Sequence, residues 1–264
     1  EDGIRDHCVT GVQTCALPIF ALGLVSLALS APAAEPAIEL TAMSYNLRYA
    51  SIAPPNSWPT RRPLVVERIR GHRPDVLGTQ EGLYQQLLDL ESDLPEYAWL
   101  GLGREGGSRG EFMAIFYRKD RFSPVSYDHY WLSDTPNVIG SATWGNSVRR
   151  MVSWVRLRDK ATRREFYFVD THFDHQSQPS REKSAKLLLQ RCLELSRKAP
   201  VLLVGDFNAA AEKNPAYTTL VGPEALTDAW TAAAKRSEQT LSFNGFHFPA
   251  PKEGERIDRK STRL

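Results

Sequence analysis

The chain has 264 residues, of which 42% are hydrophobic and 24% charged, with a formal net charge of +2. These values fit a soluble globular protein with a sizeable core and exclude a disordered polyelectrolyte. So small a net charge does not by itself predict a nucleic-acid partner, since a strong polyanion binder usually shows a basic stripe or a much higher pI.

The two ends read differently from the middle. Residues 1–18 lack a starting Met and the basic cluster that precedes a signal sequence, and they resemble translated sequencing-adapter sequence. Residues 19–34 contain a short apolar run from Phe20, and Ala31-Pro32-Ala33 fits a small-residue cleavage site, so an exported protein, periplasmic or extracellular, is expected. Residues 259–264 look adapter-like again and are set aside, which leaves residues 35–258 as one domain. Of the three cysteines, Cys8 and Cys15 lie in the N-terminal tail. Cys192, within Leu-Leu-Leu-Gln-Arg-Cys-Leu, reads as a small buried apolar residue rather than a nucleophile.

From Ile38 the pattern becomes regular. Ile38–Tyr45 alternates as a strand, Arg61–His72 carries Leu64, Val65 and Ile69 at helical spacing, and Val76–Gln80 is a short buried strand. Leu83–Leu94 is helical. Trp99–Leu102, Phe112–Tyr117, Ser126–Leu132, Met151–Leu157 and Phe166–Asp170 are rich in aromatic and branched residues and read as strands. Glu182–Lys198 is the strongest helix, and Val201–Val204 is a strand apolar on both faces. Pro54–Pro59 and the glycine-rich Gly103–Gly110 read as loops. This order fits two packed sheets with helices outside.

Polar residues stand where the buried strands end: Asn46, Glu81, His172, Asp206 and Asn208. Such strand ends are where α/β folds build sites. Each residue alone also has a plain structural use. Asn46 suits a turn, Glu81 a helix N-terminus, His172 a satisfied core position, and Asp206 an Asx-turn.

Taken in order, Ser44-Tyr45-Asn46-Leu47-Arg48, Thr79-Gln80-Glu81, Thr171-His172-Phe173-Asp174-His175 and Gly205-Asp206-Phe207-Asn208 resemble the motifs of the endonuclease/exonuclease/phosphatase superfamily. Trp131-Leu132-Ser133-Asp134-Thr135-Pro136 is most similar to a bacterial exported branch of it. The resemblance implies a four-layer α/β/β/α sandwich with two mixed, mainly antiparallel sheets. It also implies metal-dependent hydrolysis of a phosphoester, as phosphodiesterase or phosphatase, by in-line attack of an activated water. Magnesium is the expected ion, with manganese as the alternative; a monomer with no stable protein partner is expected.

The chemistry assigns roles to these residues. A hard divalent cation offsets the charge that repels an attacking water. Glu81 is suited to hold it, with Asn46 beside it through the carbonyl oxygen. Asp206 orients or deprotonates the water. Asn208 and His172 donate to phosphate oxygens. Glu111 resembles the family's second acidic residue, supporting the catalytic network, and Arg150 resembles a phosphate-side arginine.

The family's last motif, Ser-Asp-His, is absent, and Arg259 stands where Tyr is expected after Arg256-Ile257-Asp258. The expectation is therefore a C-terminally truncated chain with its last strands missing and little turnover. Two other readings stay open: a metallo-β-lactamase-like hydrolase, from His172-x-Asp174-His175, and a catalytically inert binding module of the same fold. The substrate class is open as well. Trp144, Arg149 and Phe246 suit a nuclease cleft or equally plain packing, an apolar rim from Leu241–Phe246 suits a lipid or is a plain strand and turn, and a sugar or inositol phosphate is also open.

Overall fold

The computed structural model describes residues 38–236, 242–243 and 255–263. The segments read as adapter-like (1–18) and signal-like (19–34) lie outside them, as does Phe246. Two sheets are built. The first has strands β1 (Ala42–Asn46), β2 (Val76–Gly82), β3 (Tyr97–Leu100) and β4 (Phe112–Arg118), in the order β1-β2-β4-β3. The second has β5 (Phe122–Trp131), β6 (Met151–Asp159), β7 (Glu165–His172), β8 (Val201–Asp206), β9 (Thr227–Asp228) and β10 (Asp258–Arg263), in the order β5-β6-β7-β8-β10-β9. Only β1/β2 and β7/β8 pair in parallel; the other neighbours are antiparallel.

Strand alternation sorts the core into layers. In β4, Phe112, Ala114 and Phe116 face the helices α1 (Trp58–His72) and α2 (Tyr84–Asp93), meeting Val65, Ile69, Leu87 and Leu90. The intervening Ile115 and Tyr117 face the other sheet and pack with Phe122, Val155 and Phe168. In β7, Tyr167 and Val169 face outward onto α3 (Gln178–Ser196) and α4 (Pro215–Leu220), while Phe166 and Phe168 join the layer between the sheets. Each sheet buries one face on its partner and the other under helices, which gives the expected α/β/β/α order. A short fifth helix, α5 (Ala229–Ala232), follows β9.

Element boundaries moved for local reasons. Helix α1 begins at Trp58 rather than Arg61 because the Ser57 hydroxyl accepts the Thr60 N–H at 3.4 Å and Pro59 lies in the first turn, where a missing N–H costs nothing. The same device starts α3 early: Ser177 accepts from Ser180 at 3.3 Å, with Pro179 in the first turn. Strand β5 extends back to Phe122 across Pro124, where its register against β6 shifts. The glycine-rich loop is a hydrogen-bonded turn: Gly103 donates its N–H to Gly107, and Trp131 donates its indole N–H to the Arg104 carbonyl at 2.7 Å. Strand β10 falls in the segment left out of the sequence-based fold and pairs antiparallel with β8 from Asp258 opposite Asp206 to Arg263 opposite Val201. Cys192 is fully buried under β7 and β8, and burial pushes its thiol up to about 12, well away from a thiolate nucleophile. Among the described residues no helix is long and apolar enough to cross a membrane.

Candidate active site

The two parallel pairs set the site. Parallel neighbours end at the same edge, so Asn46 lies opposite Gln80 at the end of β1/β2, and His172 lies opposite Asp206 at the end of β7/β8. Packing the sheets face to face brings the two edges together. Asn46 is the joint. Its Nδ2 donates to Glu81 Oε1 at 2.9 Å and to Asp206 Oδ2 at 3.0 Å, so one amide ties carboxylates from both sheets. Its carbonyl oxygen, the atom expected beside a metal, accepts the Arg48 N–H at 2.8 Å. The physical reason is charge: an amide NH2 separates two carboxylates better than a carbonyl does.

Backbone conformation at the site is unusual. Glu81 has φ 62° and Asn208 φ 44°, left-handed values that side chains with a Cβ seldom adopt. At Glu81 this coincides with a register shift between β2 and β4 from Thr79 to Gly82, a bulge that re-aims the carboxylate. Gly205 precedes Asp206, and a Cβ there would lie 2.3 Å from the Thr171 carbonyl oxygen, so only glycine fits.

All seven residues singled out from the sequence, namely Asn46, Glu81, Glu111, Arg150, His172, Asp206 and Asn208, line one cavity of about 660 Å3. Glu81, His172 and Asp206 each offer a ligand atom, all within 4.8 Å of one another. The two carboxylates supply the oxygen donors that a hard divalent cation prefers. Burial first, then the charges of Arg150 and Arg104, hold His172 well below the usual imidazole value, so it is neutral. Its Nε2 faces the Asn208 Nδ2 at 3.0 Å and lies 3.8 Å from Asp206 Oδ2. Asn208 also donates to the Phe173 carbonyl at 3.0 Å, and its N–H donates to Asp206 Oδ1 at 2.9 Å. Burial raises the Asp206 carboxyl, opposed by the N–H donors of Asn208 and Asn46. Burial likewise raises Glu111, opposed by the Arg104 guanidinium that pairs with it.

Arg150 is 4% exposed, and burial lowers its pKa. Its Nη2 donates to His175 Nδ1 at 3.1 Å, and its Nε lies 3.9 Å from Asp174. Its Nε and Nη1 make no hydrogen bond among the described residues. Its place on the cavity wall sets a positive charge where an anion would bind.

Sequence reasoning missed Arg104, because its glycine-rich surroundings read only as a loop. It missed the placing of His175, which a local motif cannot reveal. Asp174 does not face the cavity as a ligand: it is fully buried and accepts the N–H groups of Gln176 and Ser177 where α3 begins, which removes the metallo-β-lactamase-like reading. Arg149 donates instead to the Gly140 carbonyl and Trp144 to Asp134, and neither lines the cavity.

Comparison with known proteins follows the same lines. Residues 43–259 match the Endonuclease/Exonuclease/phosphatase family. The chain is 35% identical to the mannosyl-6-phosphatase of Bacteroides thetaiotaomicron VPI-5482, with TM-score 0.81 over 85% of each chain. It is 36% identical to an endonuclease/exonuclease/phosphatase family protein from the same species, with TM-score 0.81 over 84% of this chain and 82% of that one. Human nocturnin shares the fold at 20% identity and TM-score 0.64 over 84% of this chain and 82% of that one. Among curated proteins, Drosophila melanogaster nocturnin is 25% identical over 182 residues, 64% of this chain but 27% of that relative's length. With residues 43–259 matched by the family model and the fold shared with these relatives, the chain belongs to the endonuclease/exonuclease/phosphatase family, whose members include metal-dependent phosphatases and nucleases.

Proposed function

We propose that this protein hydrolyses phosphate monoesters, with a sugar phosphate as substrate and magnesium as the ion, manganese being the alternative. The observation that carries the reading is the joint at Asn46: Glu81 and Asp206, from different sheets, meet on one amide in the cavity that Arg150 also lines. The naming of a relative 35% identical over 85% of each chain as a mannosyl-6-phosphatase supports the sugar.

Glu81 would hold the cation, in the cluster it forms with Asp206 and His172, and the ion would offset phosphate charge and polarise phosphorus. The protein's own groups do the rest. Arg150, on the cavity wall, offers its positive charge to the phosphate oxygens, where charge grows in the transition state. Asn208 and Asn46 orient Asp206, which accepts the proton of the attacking water. Neutral His172 fills the floor without adding a competing positive charge. Glu111 keeps Arg104 turned to the cavity. A phosphoester is the only partner required, so the protein acts as a monomer. The apolar run at residues 20–34 supports export, which fractionation of the expressing cell tests directly.

The decisive assay titrates magnesium and manganese against mannose 6-phosphate, p-nitrophenyl phosphate and bis-(p-nitrophenyl) phosphate. Metal-dependent release from the two monoesters is expected. Turnover of the diester alone would overturn the monoesterase reading, and no turnover of any ester would leave the inert binding module in its place.

A further inference from the structure

The floor of the cavity accounts for a phosphate, but its rim carries side chains with no part in that chemistry. His175, Tyr49 and Phe243 all line the cavity. Tyr49 is 52% and Phe243 48% exposed, although both are aromatic. His175 is also exposed, while Arg150 behind it and Asp174 before it are buried.

The contact between Arg150 and His175 fixes the chemistry of that rim. A guanidinium only donates, so the Nδ1 that faces Arg150 Nη2 at 3.1 Å is the unprotonated ring nitrogen. The proton of the neutral ring therefore sits on Nε2. Arg150 is itself held by burial and by the Asp174 carboxylate at 3.9 Å, so it locks the ring in place. The result is a donor of fixed direction next to the guanidinium that takes phosphate. Aromatic rings at the mouth add flat apolar faces. A pyranose has the matching surface, with a C–H face for the rings and hydroxyl oxygens for the donor, and few placed polar groups suffice to orient it. A duplex or single strand would demand a basic track along its backbone, and the near-neutral net charge of +2 argues against one.

We infer that His175, with Tyr49 and Phe243, forms the subsite for the sugar ring of the leaving group, His175 Nε2–H donating to an oxygen of that ring. This inference rests on the reading of the floor as a phosphoesterase site. His175 is thus a specificity-determining residue, and Arg150 has two tasks, phosphate binding and orientation of His175.

The test has one arm without turnover and one with it. Nitrogen-15 NMR of the metal-free protein reads the ring tautomer directly: a His175 protonated on Nε2 is expected, and one protonated on Nδ1 would overturn the inference. Kinetics then compare wild type, H175A, H175Q and Y49A on mannose 6-phosphate, p-nitrophenyl phosphate and thymidine 5′-monophosphate. H175A and Y49A are each expected to lower kcat/KM for the sugar phosphate about tenfold more than for p-nitrophenyl phosphate, mostly through KM, with H175Q recovering part of the loss. Equal losses on both esters would mean that His175 acts only through Arg150 and would sink the sugar subsite while leaving the phosphoesterase intact. A larger loss on the nucleotide would assign the rim to a base instead. A wild type that hydrolyses none of these three monoesters would refute the monoesterase reading and the sugar subsite with it.

Discussion

Gln80 Nε2 donates to Asp170 Oδ1 at 2.6 Å, a bond between residues 90 apart that crosses from one sheet to the other directly beneath the site. Asp170 is fully buried, and its Oδ2 makes no hydrogen bond among the described residues. Burial raises its carboxyl well above the usual value, with Gln80 opposing the shift. A carboxyl that keeps its proton when folded but loses it when unfolded lowers stability as pH rises. The loss begins at the unfolded value, about 4, and ends at the raised folded one. Asp170→Asn should remove this slope. Its Tm should exceed the wild type's at pH 7, with the gap closing as the pH falls toward 4. A constant difference across that range would show that the carboxyl does not titrate in this way. Gln80→Leu should cost about 1–3 kcal/mol, because it strips a buried acceptor of its donor.

Close approach of the sheets at this point depends on Gly78. A Cβ there would lie 2.6 Å from Val204 Cγ2 and 2.8 Å from Asp170 Cγ. Gly78→Ala should therefore destabilise by about 1–3 kcal/mol through overpacking. Denaturant unfolding measures it, and a neutral result would mean that the sheets separate freely.

Arg61 reaches from α1 to the loop after Asn46. Its guanidinium donates to the carbonyls of Asn56 at 2.9 Å, Arg48 at 3.0 Å and Tyr49 at 3.2 Å, and to that of Leu47. Tyr49 in turn donates its N–H to Glu81 at 3.3 Å. Arg61→Ala should misplace Asn46 and Glu81 and lower kcat/KM for p-nitrophenyl phosphate by about 10²-fold. Lysine cannot serve four carbonyls from one ammonium, so Arg61→Lys should rescue little. Activity retained at wild-type level in Arg61→Ala would show the loop to be held by other contacts.

The two carboxylates at the joint should separate by role. Glu81→Gln should raise the dissociation constant for magnesium, measured by calorimetry, and lower turnover with it. Asp206→Asn should lower kcat by about 10²–10⁴-fold even at saturating metal. Chelation should abolish wild-type activity, and added magnesium should restore it. Activity that survives exhaustive chelation would show that the carboxylates do not hold a catalytic ion.

Local patterns in the sequence already determined much of this protein. The aromatic and branched runs Phe112–Tyr117 and Phe166–Asp170 mark strands, and the polar residues that close Val76–Gln80 and Val201–Val204 mark the site edge. These signals survive because they depend on neighbours a few residues away. Helices α1 and α3 start ahead of Arg61 and Glu182 because the Ser57 and Ser177 caps place Pro59 and Pro179 in their first turns, which apolar spacing does not mark. Tertiary structure alone decided which way the Asn46 amide turns, since its Asp206 partner lies 160 residues along the chain on the other sheet. It also decided that Arg104 lines the cavity and that Arg150 orients His175. Such contacts arise when two independently patterned sheets close on each other, and no short-range periodicity encodes the pairing.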